Sequence, residues 1–280
     1  MPYATNPGVR IYWEEYGSGA PVLLIMGLGF THEMWFRILP ALSAQFRVIV
    51  FDNRGVGRSD SPPGPHLIRE MAHDAAAVLD AAGIDHAQVV GASMGGMIAQ
   101  ELALRYPARV TSLLLGCSSH GGILARWPDL RKSCAIKWSK CTAVERKLSL
   151  IPLLYAPSTP RERIQDDIEL NCRCNCPSRG FLNQLAGILL WSSYFRLPRI
   201  TAPTLVAHGE QDCLIPIQNG RALASRIPGA LFHPVAGAGH ILTTDQPEAS
   251  VELMLDFLGK HAGDSPRSLE PRATESHLAA

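Results

Sequence analysis

The sequence predicts an α/β fold built on a mostly parallel sheet. Short, unbroken apolar runs alternate with stretches of helical spacing along most of the 280 residues. The runs lack the polar alternation of a half-exposed strand, so they read as strands covered on both faces. One stretch, "QVVGASMGGMIAQELA" (residues 88–103), passes from strand to helix within a few small residues.

The elements follow in order. "VRIYWEEYG" alternates and predicts an edge strand of a hairpin. "PVLLIMG" and "FRVIVFD" are buried strands. Between them "THEMWFRILPALSAQ" has helical spacing at Met34, Ile38 and Leu42, and Pro40 shortens or kinks that helix. "IREMAHDAAAVLDAAGI" is an amphipathic helix that ends at Gly83. Strand "AQVVGAS", helix "GGMIAQELALRY" and strand "VTSLLLGCS" come next. From His120 to Pro198 the alternation stops, and helical patterns carry interspersed Arg, Cys, Pro and aromatic residues. The rhythm resumes with strand "APTLVAHGEQD", helix "IQNGRALASRI", strand "ALFHPVAG" and helix "PEASVELMLDFLGKH". Residues 1–119 and 199–261 therefore form the expected core domain, and 120–198 a helical insertion. The polar, Pro-containing tail 262–280 is expected to be disordered.

Composition narrows the function classes. A net charge of +1 gives no basic face for nucleic acid. No apolar run approaches the roughly 20 residues that span a bilayer, and the start lacks the pattern of a signal peptide. Seven cysteines, an odd number, favour reduced thiols and a cytoplasmic location. "NCRCNCPS" places Cys172, Cys174 and Cys176 in C-x-C-x-C spacing, but no fourth ligand stands nearby, so no metal is expected. The lysine of a phosphate loop is missing as well.

The strand-to-helix turn carries the chemistry. A serine hydroxyl is a poor nucleophile unless a base reaches it and its own backbone is out of the way. Gly91-Ala92-Ser93-Met94-Gly95 has the G-x-S-x-G form, with strand before and helix after. The tight bend lifts Ser93 clear, the glycines let strand and helix pass closely, and the helix start offers free N–H groups to an oxyanion.

With "LLIMGLGF", "FDNRGVGRSD", "VVGASMGGMIAQELA", "PTLVAHGEQDCLIP" and "GAGH", the chain resembles the α/β-hydrolase superfamily over about residues 8–260. It is similar to the esterase, lactonase and haloperoxidase-like group, of enol-lactonase or methylesterase type. The resemblance implies an α/β-hydrolase fold of about eight strands with helices on both faces and a helical cap. It also implies a Ser–acid–His triad in that chain order. "LVAHGEQD" offers Glu210 and Asp212, and the family pattern puts the acid at Asp212. The base falls at His240, behind Gly237 and Gly239. The family's oxyanion turn corresponds to Met26-Gly27-Leu28-Gly29, which assigns the donors to the backbone N–H groups of Leu28 and Met94. Met26 stands where the family often has histidine, which puts the rigidity of that loop in question. In "DNRGVGRSD", Asp52 and Arg54 are expected to fix a loop through ion pairs and hydrogen bonds, with Gly55 and Gly57 permitting turns.

The insertion would choose the substrate. Trp35 in the core and Trp127, Trp138 and Trp191 in the insertion are the candidate pocket residues. The expected function is cofactor-free, metal-independent hydrolysis of a small or medium apolar ester or lactone by a monomer or homodimer. The alternatives are perhydrolysis, hydrolysis of a carbon–carbon bond in a ring-cleavage product, and a ligand receptor with little turnover.

Overall fold

The computed structural model describes residues 2–128, 151–173 and 177–264. Its strands are β1 (Tyr3–Asn6), β2 (Val9–Tyr16), β3 (Pro21–Ile25), β4 (Arg47–Phe51), β5 (Ala87–Ala92), β6 (Val110–Gly116), β7 (Thr204–Gly209) and β8 (Leu231–Val235). They form one eight-stranded sheet in the order β1-β2-β4-β3-β5-β6-β7-β8. The six strands from β3 to β8 run parallel, and β2 and β1 continue the sheet antiparallel. Their carboxyl ends therefore share one edge, where ligands of open α/β sheets bind.

Both faces of the sheet are covered, which explains the unbroken apolar runs. Leu23 and Ile25 of β3 join one apolar cluster with helices α2 (Ile68–Ala81) and α3 (Met94–Arg105). Val22 and Leu24, on the opposite face, join a second with α1 (Leu39–Ser43) and the last helix, Pro247–Lys260. All four side chains are fully buried, each worth about 1.5–3 kcal/mol of transfer free energy. The expected stop of α2 is a Schellman motif. Gly83 has φ +65°, and the N–H groups of Gly83 and Ile84 close on the carbonyls of Asp80 and Leu79.

Two elements differ from expectation, and β8 has an edge character of its own. β2 is not the edge strand, because β1 pairs outside it through Tyr3↔Tyr12 to Asn6↔Val9. Four residues between Pro2 and Pro7 are too few to show periodicity in sequence. The expected helix before β4 is split into a 3₁₀ turn, His32–Trp35, and α1, with Pro40 in the first turn of α1, where its missing N–H costs little. β8 is mostly exposed and contains Pro234, as an edge strand tolerates.

Among the described residues between β6 and β7 lie helices α4 (Ile151–Leu154), α5 (Arg161–Arg173) and α6 (Ser178–Leu189). Trp191 and Leu197 pack into the core cluster beside α3, which anchors the chain leading into β7. Between Gly209 and the last helix come α7 (Gln218–Arg226) and the short α8 (Leu242–Asp245); the last helix is α9. No helix among the described residues is long and apolar enough to cross a membrane. The expected disordered tail falls mainly on 265–280, outside the described residues.

Candidate functional site

Four neighbouring parallel strands each deliver one chemically active residue just past their carboxyl ends. Ser93 follows β5, Cys117 follows β6, Asp212 follows β7 and His240 follows β8. Strand neighbours lie about 4.8 Å apart, so this topology gathers residues distant in sequence.

Ser93 stands at a strained bend, with φ 56° and ψ −120°, a region a side chain adopts at a cost of order 1–3 kcal/mol. Its N–H donates to Gly116 O at 2.8 Å, and its carbonyl accepts from Gly96 N and from Ser118 Oγ. The flanking glycines are required by contact. A Cβ on Gly91 would sit 2.4 Å from Gly95 O, and one on Gly95 would sit 2.0 Å from Ile25 O. The bend is thereby pressed against the 26–30 turn. A Cβ position on Gly27 lies 3.5 Å from Ser93 Oγ. Among the described residues, the N–H groups of Leu28 and Met94 donate to no protein acceptor.

Asp212 and His240 form a dyad. His240 Nδ1 lies 2.9 Å from Asp212 Oδ2, while Asp212 Oδ1 accepts from Leu214 N and Ile215 N at 2.9 and 2.8 Å. Burial opposes the charge on Asp212, but the rings of His240 and His208 outweigh it and hold the carboxyl far below the usual carboxylate range. His208 Nε2 faces Ile215 O at 2.7 Å, which fixes that nitrogen as the donor. No hydrogen bond joins Ser93 Oγ to His240 among the described residues; such contacts often tighten only around substrate.

The His240 loop is tied to α4, α5 and the segment between them. His240 N and Ile241 N both donate to Leu154 O, at 2.9 and 3.0 Å. Asp245 accepts from Gly239 N at 2.6 Å and from Thr159 Oγ1 at 2.5 Å. Asp167 accepts from Thr244 Oγ1 at 2.6 Å and pairs with Arg37 at 3.1 Å. Burial pushes both of these carboxyls up.

The 26–30 turn, whose rigidity the absence of the family's histidine put in question, has two ties. Asn53 Nδ2 donates to Met26 O at 2.8 Å, and Gly29 N donates to Gln184 Oε1 of α6 at 2.9 Å. The expected loop role of Asp52 and Arg54 takes a definite form. Asp52 holds His32 at 2.7 Å and Arg58 N at 2.9 Å; Arg54 pairs with Asp74 at 2.6 Å and with Glu70 at 3.0 Å.

Cys117 was missed in the sequence. It is buried at φ 43° and lies beside the dyad. One ligand-type atom each of Cys117, Asp212 and His240 lie within 4.8 Å of one another. The group is poorly suited to a cation. Burial and the Asp212 charge keep the Cys117 thiol protonated, and it donates to Gly239 O. Cys172 is exposed, and Cys174 and Cys176 lie outside the described residues.

The tryptophans scatter. Trp35 is buried in the core, Trp191 donates its Nε1–H to Glu101 at 2.8 Å, and Trp127 is exposed. Trp138 lies outside the described residues. Glu210, the other carboxylate of its segment, is exposed.

Residues 20–133 match the family model of the α/β-hydrolase fold. Over 266 residues the chain is 35% identical to a protein of Azorhizobium caulinodans named as a carbamate hydrolase, RutD, covering 93% of this chain and 99% of that one. The chain belongs to the α/β-hydrolase family. Among solved structures, this α/β-hydrolase is similar to an N-acyl homoserine lactone degrading enzyme, at 31% identity and a TM-score of 0.78, covering 91% of this chain and all of that one. It is also similar to the enol-lactonase of Burkholderia xenovorans, at 25% identity and a TM-score of 0.81, covering 92% of this chain and 100% of the other.

Proposed function

We propose that this α/β-hydrolase is a metal-independent serine hydrolase that cleaves a small or medium apolar carboxylic ester or lactone through an acyl-enzyme. The observation that carries the reading is the left-handed Ser93, wedged between the 26–30 turn and a helix start on the same sheet edge as the Asp212–His240 dyad. Asp212 orients His240 with Nδ1–H toward itself, leaving Nε2 to take the proton from Ser93 Oγ. The oxygen then attacks the carbonyl. The N–H groups of Leu28 and Met94 stabilise the oxyanion. His240 passes its proton to the leaving alcohol, and the acyl group stays on Ser93. Water, activated by the same imidazole, releases the acid. These steps account for hydrolysis without a cofactor. Residues 120–198 act as the cap over this edge, and the protein works in the cytoplasm.

A second substrate class is a carbamate, favoured by the name of the relative that matches 93% of the chain. The steps are shared: a carbamate ester expels its alcohol, which His240 protonates, and leaves a carbamoyl group on Ser93 that water releases as a carbamic acid.

A fluorophosphonate probe tests the reading. It labels Ser93, and Ser93→Ala removes both labelling and turnover on p-nitrophenyl esters, lactones and carbamates. Labelling of another residue, or an active alanine variant, sinks the mechanism. The relative rates across the panel select the substrate class.

A further inference from the structure

Gln184 is fully buried on α6, far in sequence from anything catalytic. Its two amide atoms meet two backbone groups of opposite type. Oε1 accepts the N–H of Gly29 at 2.9 Å, and Nε2 donates to the carbonyl of Arg54 at 2.8 Å. The first contact is one residue beyond Leu28, in the turn pressed against Ser93. The second is on a loop held by the buried Arg54–Asp74 pair. One amide therefore ties the 26–30 turn to the loop held by that ion pair.

The helix is shaped to let so short a side chain reach. Gly180, Gln184 and Gly187 lie at i, i+4 and i+7, on one face. A Cβ at Gly180 would sit 2.0 Å from Gly55 O, and one at Gly187 would sit 1.8 Å from His66 O. The backbone of α6 touches the core loops directly on both sides of Gln184. The glutamine amide supplies a donor and an acceptor side by side at this reach, and asparagine is one methylene too short.

We propose that Gln184 is the positioning residue of the oxyanion hole, setting the 26–30 turn so that Leu28 N–H meets the negative oxygen formed when Ser93 attacks. This role rests on the serine-hydrolase reading given above. It makes docking of α6 a condition of transition-state stabilisation, beyond covering the site. An oxyanion donor displaced by a fraction of an ångström loses much of its effect on the transition state and little of its effect on ground-state binding.

The test is Gln184→Met, which keeps the length and volume and removes both hydrogen bonds. Steady-state kinetics on p-nitrophenyl butyrate are measured beside inhibition by phenylboronic acid, whose serine adduct copies the tetrahedral anion. The expected result is a kcat lower by about 10–100-fold with KM within about threefold. Boronate affinity falls by a factor similar to kcat/KM, while the melting curve stays cooperative. Gln184→Glu retains an acceptor for Gly29 N–H and is expected to lose less on both measures. A folded Gln184→Met with wild-type kcat overturns the role, and so does a loss of kcat with boronate affinity unchanged. Should the methionine variant not fold, Gln184→Glu decides, because it breaks the tie to Arg54 O: a parallel fall of about 3–10-fold in kcat/KM and boronate affinity supports the role, and wild-type values of both, or a fall in one alone, overturn it. A wild type that neither turns over an ester nor labels at Ser93 overturns the serine-hydrolase reading and this role with it. An active wild type beside an unimpaired methionine variant overturns the role alone.

Discussion

Asp212 Oδ2 faces His240 Nδ1 at 2.9 Å, and Oδ1 of the same carboxylate is saturated by the N–H groups of Leu214 and Ile215. The carboxylate cannot turn without breaking those bonds, so the ring it faces is fixed in one tautomer. Asp212→Asn substitutes an amide that does not hold that tautomer. It is expected to lower kcat by about 10³–10⁴-fold and leave the fold intact. Glu210→Gln, on an exposed side chain, is expected to change kcat by less than about twofold. Kinetics on one ester with both variants settle the assignment, and the reverse ranking moves the acid to Glu210.

The strain at Ser93 predicts a trade between stability and activity. At φ 56° and ψ −120° glycine is at ease, whereas alanine inherits the same clash as serine. Ser93→Gly is therefore expected to be more stable than Ser93→Ala by about 1 kcal/mol, after the extra unfolded-state entropy of glycine is subtracted. Both variants lack turnover. Urea denaturation of the pair measures the difference, and equal midpoints would show that the bend holds no strain.

Two glycines separate contact from propensity. Gly95→Ala forces a Cβ to 2.0 Å from Ile25 O, a backbone atom that cannot yield without parting the bend from the 26–30 turn. Loss of several kcal/mol, or of soluble protein, is expected. Gly259, in the last turn of α9, has nothing within 4 Å of its Cβ position. Gly259→Ala is expected to add about 0.5–1 kcal/mol through helix propensity alone. Thermal melts that rank the two alike would refute the contact argument.

What could be read from the sequence was what is local in it. Ser93 announces itself because strand, bend and helix are contiguous, and the two glycines carry the steric reason. β3 to β7 announce themselves because both faces are buried. Gln184 does not, since its partner Gly29 is 155 residues away and nothing around position 184 marks an amide as more than helix surface. Asp245 and Asp167 are ordinary acidic residues in helical stretches until the fold buries them against the His240 loop. Cys117 follows an apolar strand and reads as packing. β1 fails for another reason: four residues cannot establish a period. The family resemblance supplied Asp212 over Glu210, a choice that spacing alone left open.

The junction between α6 and the core predicts a pH dependence of stability. His66 is buried there; its N–H donates to Asn183 O at 2.9 Å, and its ring lies against Gly55. Burial and the nearby Arg54 charge push its pKa down to about 4, with Asp74 opposing them. The unfolded chain takes up that proton near the ordinary imidazole value, about 6.5, and the folded protein does so only near 4. Between those values the unfolded state binds more protons, so folding stability falls as pH drops. The contribution is full above about 6.5 and is lost as pH falls through the window toward 4. His66→Gln removes the titration while the backbone bond to Asn183 remains. Melting temperatures at pH 7, 6, 5 and 4.5 are expected to fall less steeply in the variant than in the wild type. His120, also pushed down by burial, adds to the slope in the same direction, so the variant flattens the curve without levelling it. Parallel curves would place the proton uptake in other groups and leave His66 a neutral wedge with no part in acid sensitivity.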